Sequence, residues 1–224
     1  MISTVLLDVD GTLIDSNEAH ARAWADTFRA HGWNEVTWQA IIPLIGMGGD
    51  KLLPKIIGIE ADSARGKALS TERSEHFLTA YAPTIRAFPK TRELLETFRD
   101  RGLKRVIATS AGEDELAVLL ERAGVADLIT RETTSDDAKG KSKPDPNIIL
   151  AALAKAHSAP GNAIMIGDTP YDVEAARKAG VGTIALRSGG WGDKPLAGAL
   201  AIYANPAELL ARLDDSPLGT HSSY

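Results

Sequence analysis

The stretch VLLDVDGTLIDS at residues 5–16 constrains this chain more than any other. It opens as an apolar run flanked by β-branched Thr4 and Val5, so residues 3–8 read as a buried strand. That strand delivers Asp8 and Asp10 to its carboxyl end, where Gly11-Thr12 turns the chain away. A core strand has no use for two acids there, because a buried charge has to be paired or bound to a metal. The stretch reads as the mouth of an active site, and the rest of the chain as what faces its two acids.

A helical block comes next. Ala19, Ala23, Trp24, Phe28 and Ala30 fall near helical spacing behind the candidate caps Asp15, Ser16 and Asn17, and His31-Gly32 ends the segment. Val36–Ile42 predicts a second helix stopped by Pro43, and Gly46-Met47-Gly48-Gly49 a loop. Lys51–Ile57 predicts a third helix, capped by Asp50 and interrupted by Pro54, and Ala61–Tyr81 a fourth. Past Pro83 and Pro89 the pattern changes to alternating helices and strands. Helices are expected at Thr91–Arg101, Glu113–Ala123, Asn147–His157, Pro170–Ala179 and Pro206–Leu213. Strands are expected at Arg105–Thr109, Leu128–Thr130, Ala163–Ile166, Thr183–Leu186 and, at an edge, Ala201–Tyr203. The glycine-rich connection through Gly192 reads as mobile, and the tail from Ser216 as disordered. Together these predict an α/β fold, a Rossmann-like parallel sheet with helices on both faces. The core takes residues 1–15 and 84–224, and residues 16–83 form an inserted α-helical cap domain.

Composition narrows the chemistry. With 224 residues, 44% of them hydrophobic, the chain can bury a sizeable core. A net charge of -5 argues against nucleic acid as a partner, since phosphate backbones demand clustered Lys and Arg. The absence of cysteine excludes disulfides, thiolate zinc sites and cysteine nucleophiles. No apolar run approaches the roughly 20 residues that span a bilayer, and no basic-then-apolar leader opens the chain. A cytoplasmic protein without a membrane partner is expected.

Four polar signals follow strands: Asp8 with Asp10, Thr109 with Ser110, the Lys143 loop, and Asp168 with Asp172. In open parallel sheets ligands collect at the carboxyl ends of the strands, where strand order reverses. Several acids, a hydroxyl and an ammonium meeting there suit phosphoryl transfer. Carboxylates can hold Mg²⁺, lysine and hydroxyl donors can bind phosphoryl oxygens, one carboxylate can attack phosphorus, and a second can move the protons.

DVDGTLIDS, the strand end at Thr109, Lys143-Pro144 and GDTPYD, in this order, resemble the four motifs of the haloacid dehalogenase-like (HAD) hydrolase superfamily. The helical insert resembles its small α-helical cap. The resemblance implies Asp8 as nucleophile, Asp10 as general acid/base, and Thr109 and Lys143 as phosphoryl ligands. It implies Mg²⁺ held by Asp8, Asp168 and the backbone carbonyl of Asp10, with Asp172 supporting the metal through water or from behind. The dehalogenases generally lack an acid at the position of Asp10, so phosphate chemistry is favoured over halide displacement. Within the superfamily the chain looks most like the phosphoglycolate phosphatase and β-phosphoglucomutase branch. There His20 and Lys51, the latter in IGMGGDKLL, stand where substrate contacts occur.

Plainer readings exist beside these. Thr109 and Ser110 can cap a helix, and loop lysines such as Lys139, Lys141 and Lys143 are usually solvated. Thr169, Pro170 and Asp172 form a good helix start by themselves. His20 can be a packed histidine, and Trp24, Trp33 and Trp38 simple core or surface of the insert. Gly189, Gly190 and Gly192 lack the spacing of a phosphate loop. The expectation is a Mg²⁺-dependent phosphatase, monomer or homodimer, acting on a small phosphorylated metabolite, with phosphoglycolate among the candidates. A phosphosugar mutase is the main alternative, ahead of a haloacid dehalogenase or a catalytically silent binding protein.

Overall fold

The computed structural model describes residues 1–138 and 140–219, so Lys139 and the last five residues lie outside the described part. Strand β1 (Thr4–Leu7) leads into a helical insert: α1 (Asn17–Ala30), α2 (Trp38–Ile41), α3 (Gly49–Ile57) and α4 (Ala64–His76). The chain then alternates: α5 (Thr91–Asp100), β2 (Lys104–Ile107), α6 (Glu113–Ala123), α7 (Asn147–Ala156), β3 (Ala163–Gly167), α8 (Pro170–Lys178) and β4 (Gly182–Leu186). It closes with α9 (Asp193–Leu196), β5 (Ala201–Tyr203) and α10 (Pro206–Ala211). The strands form one sheet in the order β2-β1-β3-β4-β5, every pairing parallel. This is the expected α/β, Rossmann-like class. Among the described residues no helix is long and apolar enough to cross a membrane.

The sheet is covered on both faces because its strands alternate apolar side chains with period two. Val5 and Leu7 point into a layer with Leu94, Phe98, Leu116 and Leu209 of α5, α6 and α10. Leu6 points the other way, into Ile148, Ile149 and Ala152 of α7 and Ala175 and Ala176 of α8. The insert has its own apolar cluster, including Trp24, Phe28, Ile41, Leu52, Leu53 and Leu69. Ala23, Phe77 and Ala82, however, belong to the main core, so the insert is seated on the sheet-bearing part by apolar contact as well. Pro54 sits inside α3, where buried Leu52 and Leu53 hold the helix together around its missing N–H.

Three expectations are corrected. No strand forms at Leu128–Thr130: a 3₁₀ turn spans Ala126–Leu128, and the chain meets β2 only at an isolated bridge between Val106 and Arg131. The 3₁₀ turn takes up Leu128, and the ladder-like contact with β2 begins only past it, Thr130 N–H donating to the Arg105 carbonyl at 2.8 Å and Ile107 N–H to the Arg131 carbonyl at 2.9 Å. The glycine-rich connection after β4 is docked, Ser188 Oγ donating to the Gly11 carbonyl at 2.7 Å. The tail is packed at least to Gly219, since Ser216 and Leu218 are buried and Ser216 Oγ donates to the Leu213 carbonyl at 2.6 Å.

Candidate active site

Strand order reverses at β1: β2 pairs on one side of it and β3 on the other. The register sets Leu7 beside Ile166, so the next residues, Asp8 and then Asp168, emerge together at the carboxyl ends of β1 and β3. Asp8 N–H donates to the Ile166 carbonyl at 2.9 Å and fixes that alignment. This is the switch point where an open parallel sheet leaves a crevice.

Lys143 is fully buried beneath the crevice, its Nζ 2.5 Å from Asp8 Oδ1 and 2.6 Å from Asp172 Oδ1. The second contact is an ion pair without hydrogen-bond geometry. Asp172 also caps its own helix: its Oδ2 accepts from Thr169 N–H at 3.0 Å while its N–H donates to Thr169 Oγ1 at 3.2 Å. One side chain therefore both caps its helix and pairs with Lys143, each through a different carboxylate oxygen. Asp168 accepts from Thr12 Oγ1 and from Asn17 Nδ2, each at 3.0 Å.

Asp8, Asp168 and Asp172 each present an oxygen within 4.8 Å of the others. Burial, with the neighbouring carboxylates Asp172 and Asp10 adding to it against the pull of Lys143, pushes Asp8 up to about 7. Burial, then the charges of Asp172 and Asp8, pushes Asp168 well above the usual carboxylate range. Burial alone would lower Lys143, yet Asp172 and Asp8 hold its ammonium above the usual range. One ammonium among three buried acids leaves excess negative charge. The donor set is oxygen only, which suits a hard divalent cation such as Mg²⁺. The residues thus fit a metal of that kind.

Asp10 turns its carboxylate away from this cluster. Its Oδ1 accepts from Ser16 Oγ at 2.5 Å and meets His20 Nε2 at 2.8 Å. Burial raises Asp10, but His20, Ser16 and Arg73 together outweigh it and hold the group below the ordinary range. His20 stacks on Phe77 with centroids 3.9 Å apart, and Arg73 Nη1 approaches its Nδ1 at 3.3 Å. The ring thus turns Nε2 to the Asp10 carboxylate and Nδ1 to the Arg73 guanidinium.

Thr109 and Ser110 line the same cavity as Asp8, Asp10 and His20. Thr109 Oγ1 also accepts from Ala111 N–H at 3.1 Å, a small local cap, and Ser110 Oγ reaches the Gly46 carbonyl at 3.4 Å. Lys51 is the predicted residue that the structure keeps out of this group. Its Nζ pairs with Asp145 at 2.8 Å and Asp50 at 3.1 Å, outside the cavity lining. Trp24 is not mere core: its indole lines the cavity.

Four residues at the site were not read from the sequence as site residues: Asn17, Arg73, Glu115 and Gly189. Asn17 and Ser16 read as helix caps, but their side chains serve Asp168 and Asp10 instead. Arg73 meets Glu115, 42 positions away, at 2.9 Å. Gly189 lies against Asp168 so closely that any Cβ would overlap the carboxylate. Gly11, at φ +72, is confined by Asp168 and Asn17 in the same way.

Comparison with known proteins agrees with this geometry. The haloacid dehalogenase-like hydrolase family matches residues 5–186. A phosphoglycolate phosphatase of Rhodospirillum rubrum is 31% identical over 93% of this chain and 90% of its own length. An N-acetylmuramic acid 6-phosphate phosphatase of Pseudomonas aeruginosa is 29% identical over 95% of each chain. The crystal structure of a hydrolase from Pseudomonas syringae superposes with a TM-score of 0.86 at 33% identity, covering 95% of this chain and 98% of that one. With its sheet, its buried acids and these relatives in agreement, the chain belongs to the haloacid dehalogenase-like hydrolase family.

Proposed function

We propose that the chain is a Mg²⁺-dependent phosphatase that hydrolyses a small phosphomonoester through an aspartyl-phosphate on Asp8. One observation carries this reading: a buried Asp8–Lys143–Asp172 chain beside Asp168 at the switch point of a parallel sheet, with an independently held acid, Asp10, two residues on. The relatives above are phosphatases by name, and their named substrates are small phosphorylated compounds.

In this reading Asp8 attacks phosphorus while Lys143, Thr109 and Ser110 take the non-bridging oxygens. Asp10 is placed to give a proton to the departing alkoxide and then to remove one from the attacking water; held low in the empty site, it would take up the first proton as the anionic substrate arrives. Ser16 and His20 aim its carboxylate for both steps. Mg²⁺ held by Asp8, Asp168 and the main-chain carbonyl of Asp10 would supply charge neutralisation between nucleophile and phosphoryl group. Asp172 supports the arrangement by holding Lys143. Residues 16–83 act as a cap that excludes bulk water, working in a monomer or homodimer of the cytoplasm.

Phosphate release from an aryl phosphate, abolished by EDTA and restored by Mg²⁺, tests the reading. Asp8→Asn is expected to lower release by more than about 10³-fold with the fold intact; a variant as active as wild type overturns it. A mutase would use the same acids. Sugar 1-phosphates are expected to yield inorganic phosphate without isomer, and formation of the isomer would favour the mutase.

A further inference from the structure

The organic end of the cavity is set by a pair from opposite parts of the molecule, Arg73 on α4 of the insert and Glu115 in the first turn of α6. Arg73 Nη1 donates to both Glu115 oxygens, at 2.9 and 3.1 Å, and Ser74 Oγ adds a third bond at 2.6 Å. The guanidinium also lies over Trp24, 4.9 Å from the ring centroid. Glu115 is 6% exposed at its side chain and Arg73 16%, so the pair is largely withdrawn from water. Both line the cavity that holds Asp8 and Asp10.

Among the described residues lining that cavity, Arg73 and His20 are the only basic side chains. Each already faces an acid: Arg73 faces Glu115, and His20 faces Asp10 at 2.8 Å. The phosphoryl end is different, for there the Thr109 and Ser110 hydroxyls line the cavity and Asp8 belongs to the acid cluster that would hold a cation. A second anion on the substrate would find no uncommitted positive charge at the organic end. It would have to displace Glu115 from Arg73 and then lie beside both Glu115 and Asp10, where screening is weak. A hydroxyl suffers none of this, since it can donate to Glu115 or accept from the guanidinium without displacing either.

We infer that Glu115, by neutralising Arg73, selects phosphomonoesters whose alcohol part is uncharged, such as small polyol or sugar phosphates, over phosphorylated carboxylic acids. The inference rests on the phosphatase reading and narrows its substrate class. Glu115 acts here as a repulsive element: it discriminates by what it makes costly. The relative named phosphoglycolate phosphatase therefore does not predict this chain's preferred ester.

The test compares esters matched in size and differing in charge, with Mg²⁺ present. 2-Hydroxyethyl phosphate is set against 2-phosphoglycolate, and glucose 1-phosphate against glucuronic acid 1-phosphate. Wild type is expected to show kcat/KM at least about tenfold higher for the neutral member of whichever pair it turns over. Glu115→Gln, which keeps shape and frees the Arg73 charge, is expected to erase or invert that ratio mainly through KM for the acid. Wild-type preference for the carboxylate member overturns the inference while leaving the phosphatase reading intact. An unchanged ratio in Glu115→Gln overturns the role of Glu115. Absence of phosphate release from every ester overturns the phosphatase reading itself, and the inference with it.

Discussion

Asp8 and Asp10 stand two positions apart on one strand end, yet their surroundings drive them in opposite directions. Burial raises Asp8 to about 7, while His20, Ser16 and Arg73 hold Asp10 low despite its burial. In the metal-free site this separation runs opposite to the proposed tasks, so a cation at Asp8 and an anionic phosphoryl group beside Asp10 would have to shift both acids back. It also has a cost in the metal-free protein. The unfolded chain releases the Asp8 proton near 3.8, and the native metal-free state keeps it up to about 7. Between those values the native state binds more protons, so its stability falls as pH rises through the window. Asp168 shifts in the same direction. Melting temperature in EDTA is expected to drop from pH 5 to pH 7.5, and Mg²⁺ to raise it more at the higher pH. Equal stabilisation by Mg²⁺ at both values would contradict this. A second prediction concerns Gly189, where a methyl would overlap the Asp168 carboxylate. Gly189→Ala is expected to cost about 1–3 kcal/mol by overpacking and to weaken Mg²⁺ binding, read by denaturation and by calorimetry. The acids were legible because strand-end position and residue type travel together in sequence. Gly189 was not, since its role is set by how near a distant carboxylate comes.

At the scale of elements, the loop-to-α3 segment of the insert grips the core loop that carries Lys143. Asp50 Oδ2 accepts from Ser142 N–H at 3.2 Å, and Lys51 Nζ holds Asp145 at 2.8 Å, so the contacts straddle Lys143-Pro144. Lys51 thus touches a neighbour of Lys143, the proposed phosphate ligand. Lys51→Ala is expected to raise KM for phosphomonoesters several-fold with kcat little changed. The pair is partly exposed, so stability should change by about 0.5 kcal/mol or less. A loss of kcat with unchanged KM would argue instead for a direct part in catalysis. Element boundaries in the sheet-bearing part followed from the sequence pattern nearly to the residue at α6, Glu113–Ala123, and β5, Ala201–Tyr203. The failures fall at Leu128–Thr130, where a 3₁₀ turn takes up Leu128 before the chain reaches β2, and at the tail, where Leu218 packs into the main apolar core. Tertiary contact decided both, and neither leaves a local pattern.

At the scale of the whole molecule, insert and core meet through several separated polar contacts besides the apolar seat. Arg73 and Ser74 hold Glu115, Lys51 holds Asp145, and the Tyr171 hydroxyl donates to the Pro43 carbonyl at 2.6 Å. If the insert must lift for substrate to enter, fixing it in place should stop turnover. The chain has no cysteine, so Lys51→Cys with Asp145→Cys provides a unique pair for a short thiol-cleavable crosslinker. Crosslinking is expected to suppress phosphate release, and cleavage of the linker to restore it; full activity in the crosslinked protein would rule out lifting. The insert enters and leaves at one place. Ile14 bridges Ala87 in antiparallel fashion, Asp15 N–H donates to the Arg86 carbonyl at 2.9 Å, and Phe88 N–H to the Leu13 carbonyl at 3.1 Å. Two chain segments joined side by side make a natural splice point: the intervening residues could be exchanged for another set without rerouting the sheet. Chemistry and substrate choice would then be separately heritable, with one qualification. Arg73 would leave with the insert while Glu115 stayed behind, so a transplanted insert would arrive in a site already biased by the host's acid.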